Sequence, residues 1–249
     1  MKPSVIHAYD FDGVLCDSAV ETALTGWRAA AQLWNDMPAH APEAMVPLFR
    51  QVRPIIETGY EAILAMRLLY LGESVEAIYR HYPEKTAHLM QEAGVSIDAL
   101  KTCFGETRDH WIAQDLADWI AMNPLFPGIA AKLQQLAQTA VWFIITTKQE
   151  RFVKHILQAN AIDLDDARIF GLDRNLSKAE VLKGLLQQYP EHAVEFVEDR
   201  LPTLIAVQQH PELAKVKLLF AEWGYNTDAD KQAARERHFT PLKLAEFVL

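Results

Sequence analysis

The strongest constraint on what this chain can fold into is a change of rhythm along it. Short apolar runs of strand length occur at Ser4–Tyr9, Ala140–Ile145, Arg168–Gly171, Ala193–Val197 and Val216–Phe220. Helix-like segments at Arg151–Asn160, Lys178–Tyr189 and Pro202–Gln209 separate the later runs, and Gly128–Gln138 precedes the second. This alternation predicts an α/β fold, a doubly wound parallel sheet covered on both faces and joined by right-handed crossovers. Ligands of such sheets bind beyond the carboxyl ends of the strands, so the residues there are the first to weigh for function.

One interval breaks the rhythm. Between Ser18 and Met122 no strand pattern occurs, whereas Thr22–Trp34, Glu57–Tyr70, Val75–Arg80, Lys85–Gln91 and Asp98–Ile120 look helical. Asn123 to Gly128, with two prolines and a glycine, punctuates the return to α/β order. The expected organisation is a core of residues 1–17 and 123–249, interrupted by an all-helical insertion at 18–122. A chain of 249 residues can bury such a core without a structural metal.

Composition narrows the function. Lys and Arg number 24 against 33 Asp and Glu, a formal charge of −9, and no basic tract occurs. General nucleic-acid binding is therefore not expected, because it rests on clustered cations. Cys16 and Cys103 are the only cysteines and form no CxxC pair, which argues against a disulfide framework or a thiolate zinc site. No run approaches the roughly 18 uncharged apolar residues of a membrane span, and the N-terminus lacks a signal-like apolar stretch. A soluble, cytoplasmic protein without a membrane partner is expected. The oligomeric state is not legible.

The candidate chemistry lies at the strand ends. The first run ends in Asp10-Phe11-Asp12-Gly13. Carboxylates two residues apart on an extended segment point the same way, and they repel unless a hard cation, a shared proton or both intervene. Two solvated loop acids are the plainer alternative. The second run ends in Thr146-Thr147, hydroxyls that could donate to an anion or serve as ordinary helix caps. Lys178 opens a helix, where the dipole disfavours a cation unless an anion faces it. Glu198-Asp199 closes the fourth run, either as two more acids at the same edge or as a helix cap. Arg50, Arg53 and the segment Glu57–Glu61 form the most polar stretch of the insertion, suited to an anionic group or to a surface ion pair. Trp27, Trp34, Trp111 and Trp119 are expected to pack the insertion, and His7 to lie in the sheet core.

The order of these residues resembles the haloacid dehalogenase superfamily. Asp10-Phe-Asp12-Gly-Val-Leu-Cys-Asp17-Ser18 is similar to its first motif, Thr146 to the second, Lys178 to the third and Glu198-Asp199 to the fourth. The insertion resembles the family's helical C1 cap on a Rossmann-like core; Leu125-Phe-Pro-Gly128 and Trp223-Gly-Tyr225 resemble further family elements. The chain departs from the pattern at Ala179, Arg200 and Thr203, and its insertion is longer than the usual small C1 form. The resemblance implies an Mg²⁺-dependent hydrolase of small phosphorylated metabolites. Asp10 would be the nucleophile, forming an aspartyl phosphate, and Asp12 the general acid and base. Thr146 and Lys178 would hold phosphoryl oxygens, with Gly13, Thr147 and Arg53 as substrate contacts. The metal would take Asp10, Asp12 through its backbone carbonyl, Glu198 and Asp199. The presence of Asp12 favours phosphoryl transfer over carbon–halogen cleavage, which has no alkoxide to protonate. A phosphomutase and a catalytically idle binding protein are the alternatives.

Overall fold

Val5–Tyr9 (β1) is a β-branched and aromatic segment buried inside a sheet, a position that suits its near-continuous apolar character. The computed structural model describes residues 5–249, so Ser4, where the first apolar run opens, lies outside the described residues. The chain divides into two compact units. One combines the residues up to Asp17 with Pro124–Leu249, and the other is Ser18–Asn123.

The first unit is an α/β sandwich. Its strands are β1, β2 (Val141–Ile145), β3 (Ile169–Phe170), β4 (Ala193–Glu198), β5 (Val216–Ala221) and β6 (Thr240–Leu242), in the spatial order β3-β2-β1-β4-β5-β6. All five pairings are parallel. The third strand is shorter than the apolar run suggested, since Arg168 ends a 3₁₀ turn and Gly171 begins another. The last strand has no counterpart among the predicted runs. It carries Pro241, which an edge strand tolerates because its outer side needs no donor.

The order of the strands reverses between β1 and β4, and in a doubly wound sheet that crevice is where ligands bind. Alternate residues of the strands, Ile6, Ala8, Phe143, Ile145, Val194, Phe196 and Phe220, form one buried face. Leu182 and Leu185 of one helix and Leu204 and Val207 of another pack on it. His7 belongs to the opposite face and is not a core residue. It is half-buried with Nδ1 3.6 Å from Glu195, which in turn accepts from Lys217 Nζ at 2.8 Å. Register places these three side by side on neighbouring strands, and the His7 imidazole and Lys217 ammonium hold the Glu195 carboxyl down at about 2.

The second unit is helical: α1 (Ala19–Leu33), α2 (Met45–Val52), α3 (Glu61–Tyr70), α4 (Val75–Ala93), α5 (Ile97–Gln114) and α6 (Leu116–Ala121). The two short helices expected at Val75–Arg80 and Lys85–Gln91 are the two arms of α4, which meet at a kink where His81 takes non-helical angles and Pro83 removes a backbone donor. The long helix expected at 98–120 is two, because Asp115 takes non-helical angles and caps α6 through the Asp118 amide. The helix α3 starts four residues later than its apolar spacing suggested; the Glu61 carboxylate accepts from the amides of Glu57 and Thr58 and closes that end. The helix α2 was not anticipated. Trp27 and Trp34 join the core of this unit. Trp119 does more than pack, because its Nε1 donates to the fully buried Glu21.

The first unit also holds α7 (Ile129–Thr139), α8 (Glu150–Ala159), α9 (Lys178–Gln188), α10 (Leu201–Gln208), α11 (Asp228–Glu236) and α12 (Leu244–Phe247). Among the described residues, no helix is long and apolar enough to cross a membrane.

Glu21 is a fully buried carboxylate in the helical unit. It accepts two hydrogen bonds from Arg108, at 2.7 and 2.6 Å, and one from Thr25 at 2.6 Å. Arg108→Met removes that carboxylate's bidentate ion-pair partner and is expected to cost about 3–5 kcal/mol. Replacing both residues by apolar ones should cost much less. Urea unfolding of the three proteins checks this, and a single variant within about 1 kcal/mol of wild type would contradict it.

Candidate functional site

The carboxyl edge of the sheet gathers charge. Asp10 follows β1 directly, and its amide donates to the Val197 carbonyl of β4 at 2.9 Å, so the two strand ends are pinned together. Glu198 ends β4 and Asp199 follows it. Carboxylate oxygens of Asp10, Glu198 and Asp199, all buried, lie within 4.8 Å of one another. Burial and the neighbouring Glu198 push the Asp10 carboxyl up to about 7 against the opposing pull of Lys178.

Lys178 is the first residue of α9, behind a Ser177–Glu180 capping box. Its position at a helix start is explained by what it meets. The ammonium lies 2.8 Å from Asp10 Oδ1 and donates to Glu198 Oε2 at 2.6 Å. The two carboxylates raise the lysine pKa further, against the cost of burial. An ammonium has three donors, so one remains for an oxygen brought in by a ligand. The other oxygen of Glu198 accepts the backbone amides of Asp199 and Arg200, at 3.1 and 3.0 Å.

Asp12 does not join the three-carboxylate cluster. Its Oδ1 accepts from Lys148 Nζ at 3.0 Å, and the lysine side chain is only 1% exposed. Lys148 was missed in the sequence, where a lysine just after a strand reads as a solvated turn residue. The only available signal was its place at the end of Ile144-Ile145-Thr146-Thr147-Lys148.

Thr146 follows β2 and is buried, with Thr147 half-buried beside it. The Lys148 amide donates to Thr146 Oγ1 at 3.1 Å. A hydroxyl that accepts there keeps its own hydrogen to give, which suits an anionic partner.

Two glycines let the backbone close around Asp199. Gly13 sits at φ +90°, and a Cβ there would fall 2.2 Å from Asp199 Oδ2. At Gly224 a Cβ would fall 2.3 Å from the Asp199 Cβ and 2.4 Å from the Gly13 carbonyl oxygen. The Trp223-Gly-Tyr225 segment thus has a physical task. The Tyr225 amide donates to Asp199 Oδ2 at 2.6 Å, its hydroxyl to Asp17 at 3.0 Å, and Trp223 Nε1 to the Val14 carbonyl at 3.0 Å.

Asp10, Asp12, Gly13, Thr146, Thr147, Lys178, Glu198 and Asp199 therefore all belong to the carboxyl edge of one unit. Arg53 belongs to the helical unit, where it is buried and donates from Nη1 to the Ile56 carbonyl at 2.8 Å.

The buried carboxylates of Asp10, Glu198 and Asp199 converge, and the Lys178 ammonium meets the first two, so further positive charge at this point is favourable. The donors are all oxygen, which suits Mg²⁺ rather than a softer metal. The residues present therefore fit that ion.

The sequence matches no protein-family model and no curated protein. Solved structures do match. A predicted phosphoglycolate phosphatase from Haemophilus somnus superposes with a TM-score of 0.65 at 17% identity, covering 100% of this chain and 96% of that one. A predicted phosphatase from Clostridium acetobutylicum gives 0.59 at 14% identity, over 98% and 95%. A haloacid dehalogenase-like family hydrolase from Streptococcus pneumoniae gives 0.58 at 18% identity, over 97% and 94%. At these identities the likeness establishes the fold alone, which this chain shares with those structures over 97% or more of its length.

Gly13→Ala should be destabilising for two reasons that a control separates. Gly72 has a similar φ of +84° with nothing within 4 Å of a Cβ, so Gly72→Ala measures backbone strain alone, about 1–2 kcal/mol. The loss at Gly13 should be larger, because Asp199 must also move. Urea unfolding compares the two, and an equal or smaller loss at Gly13 would contradict the packed cradle.

Proposed function

We propose that this protein hydrolyses phosphate monoesters of small metabolites, with Mg²⁺, through an aspartyl phosphate on Asp10. The observation that carries the reading is the buried group of Asp10, Glu198 and Asp199, bridged by Lys178. Isolated acids at a surface would need no such bridge. The names of the similar structures, phosphatases and a hydrolase, support the same reading.

Asp10, Glu198, Asp199 and the Asp12 carbonyl would hold Mg²⁺, which when bound supplies positive charge against the phosphoryl oxygens. Asp10 attacks phosphorus with a carboxylate oxygen, and the bond to the leaving oxygen breaks. Asp12 gives that oxygen a proton, so an alcohol departs. Asp12, now a carboxylate, takes a proton from water as the water oxygen attacks the phosphoryl group. The bond to Asp10 breaks, and inorganic phosphate leaves with the carboxylate restored.

Lys178 and the Thr146 hydroxyl donate to the equatorial oxygens, where charge accumulates in the transition state. Thr147 and the backbone at Gly13 complete the phosphoryl contacts in this reading.

Asp10→Asn is the direct test. The amide cannot form the acyl phosphate, so Mg²⁺-dependent turnover of 4-nitrophenyl phosphate should fall about 10⁴-fold or more. The fold should survive, because the substitution removes a buried like charge. Circular dichroism and a melting curve check the fold. A variant that is folded and retains comparable turnover would contradict the role.

A further inference from the structure

We propose that Lys148 is a positioning residue that aims the Asp12 carboxyl at the leaving-group oxygen. This rests on the reading of Asp12 as general acid, and it assigns a task to a residue for which that reading has none.

Three anchors fix Lys148. Its amide donates to Thr146 Oγ1 at 3.1 Å, its carbonyl accepts from the Leu172 amide at 3.1 Å, and its Nζ reaches Asp12 Oδ1 at 3.0 Å. The loop has little room to shift, since a Cβ on Gly171 would fall 2.7 Å from the Lys148 carbonyl oxygen. A buried ammonium is costly unless paired, and the Asp12 carboxylate offsets that cost. Asp12 itself is less enclosed, with 17% of its side chain exposed. The lysine is thus the fixed partner and the aspartate the one being held.

The consequence is directional. A carboxyl group turns about its Cβ–Cγ bond, and tethering Oδ1 sets where Oδ2 points. General acid catalysis contributes about 10²–10⁴-fold and depends on such aim. Lys178 has a separate task, because it engages Asp10 and Glu198. A lysine placed to grip phosphate would matter equally for every phosphate ester. A lysine that aims the acid matters most when the leaving oxygen is strongly basic.

The test is kcat/KM of wild type, Lys148→Met and Lys148→Arg, with Mg²⁺, across 2,4-dinitrophenyl, 4-nitrophenyl and phenyl phosphates. For Lys148→Met, turnover of phenyl phosphate should fall about 100-fold, and that of the dinitrophenyl ester less than about tenfold. Lys148→Arg keeps the charge and should recover part of the loss on phenyl phosphate; it also serves if the methionine variant fails to fold. In an Asp12→Ala background, Lys148→Met should add almost nothing to the dependence on leaving group. Equal losses across the esters would overturn the positioning role while leaving the phosphatase reading intact. No turnover of any ester by the wild-type protein would overturn that reading, and this role with it.

Discussion

Repulsion between acids at one edge of the sheet is the constraint around which the rest of the site is arranged. Asp10, Glu198 and Asp199 are buried together, where water cannot screen them. Lys178 offsets part of that charge by meeting two of the three. Backbone amides meet more of it: those of Asp199 and Arg200 on Glu198, and that of Tyr225 on Asp199. The proposed cation would relieve the repulsion that remains among the three carboxylates. An apolar core beneath the strands keeps the cluster from relaxing outward, since Phe196 and Val197 are buried on either face just before Glu198.

The topology explains why such distant residues meet. Strand order reverses between β1 and β4, so their connections diverge and leave a crevice at the carboxyl ends. Asp10 and Glu198 come from the two strands that flank it. Thr146 arrives from β2 on one side, and Lys178 from the helix after β3. The loop from Asp10 to Cys16 must then turn sharply, and Gly13 permits the turn at the point where Asp199 approaches.

Much of this was readable in the sequence, and the omissions have physical causes. The apolar runs of the central strands announce themselves because both faces are buried. The acids and Thr146 stand out because each follows such a run at once. Lys148 was not legible, because burial of a lysine depends on a carboxylate 136 residues away. The break at Asp115 depends on local backbone angles that apolar spacing does not encode. His7 was read as core, yet a cross-strand acid and lysine make a half-buried polar row there. Neither β6 nor α2 announced itself, since one is three residues long with a proline and the other eight residues with a proline near its start.

The central claim is that the carboxylates gathered at this edge form a divalent-cation site. Isothermal titration of the wild-type protein with Mg²⁺, beside a folded Asp199→Asn variant, tests it without any substrate. The account predicts saturable binding of one ion by wild type and its loss, or a weakening of at least about tenfold, in the variant. No binding by wild type, or equal binding by both proteins, would contradict it.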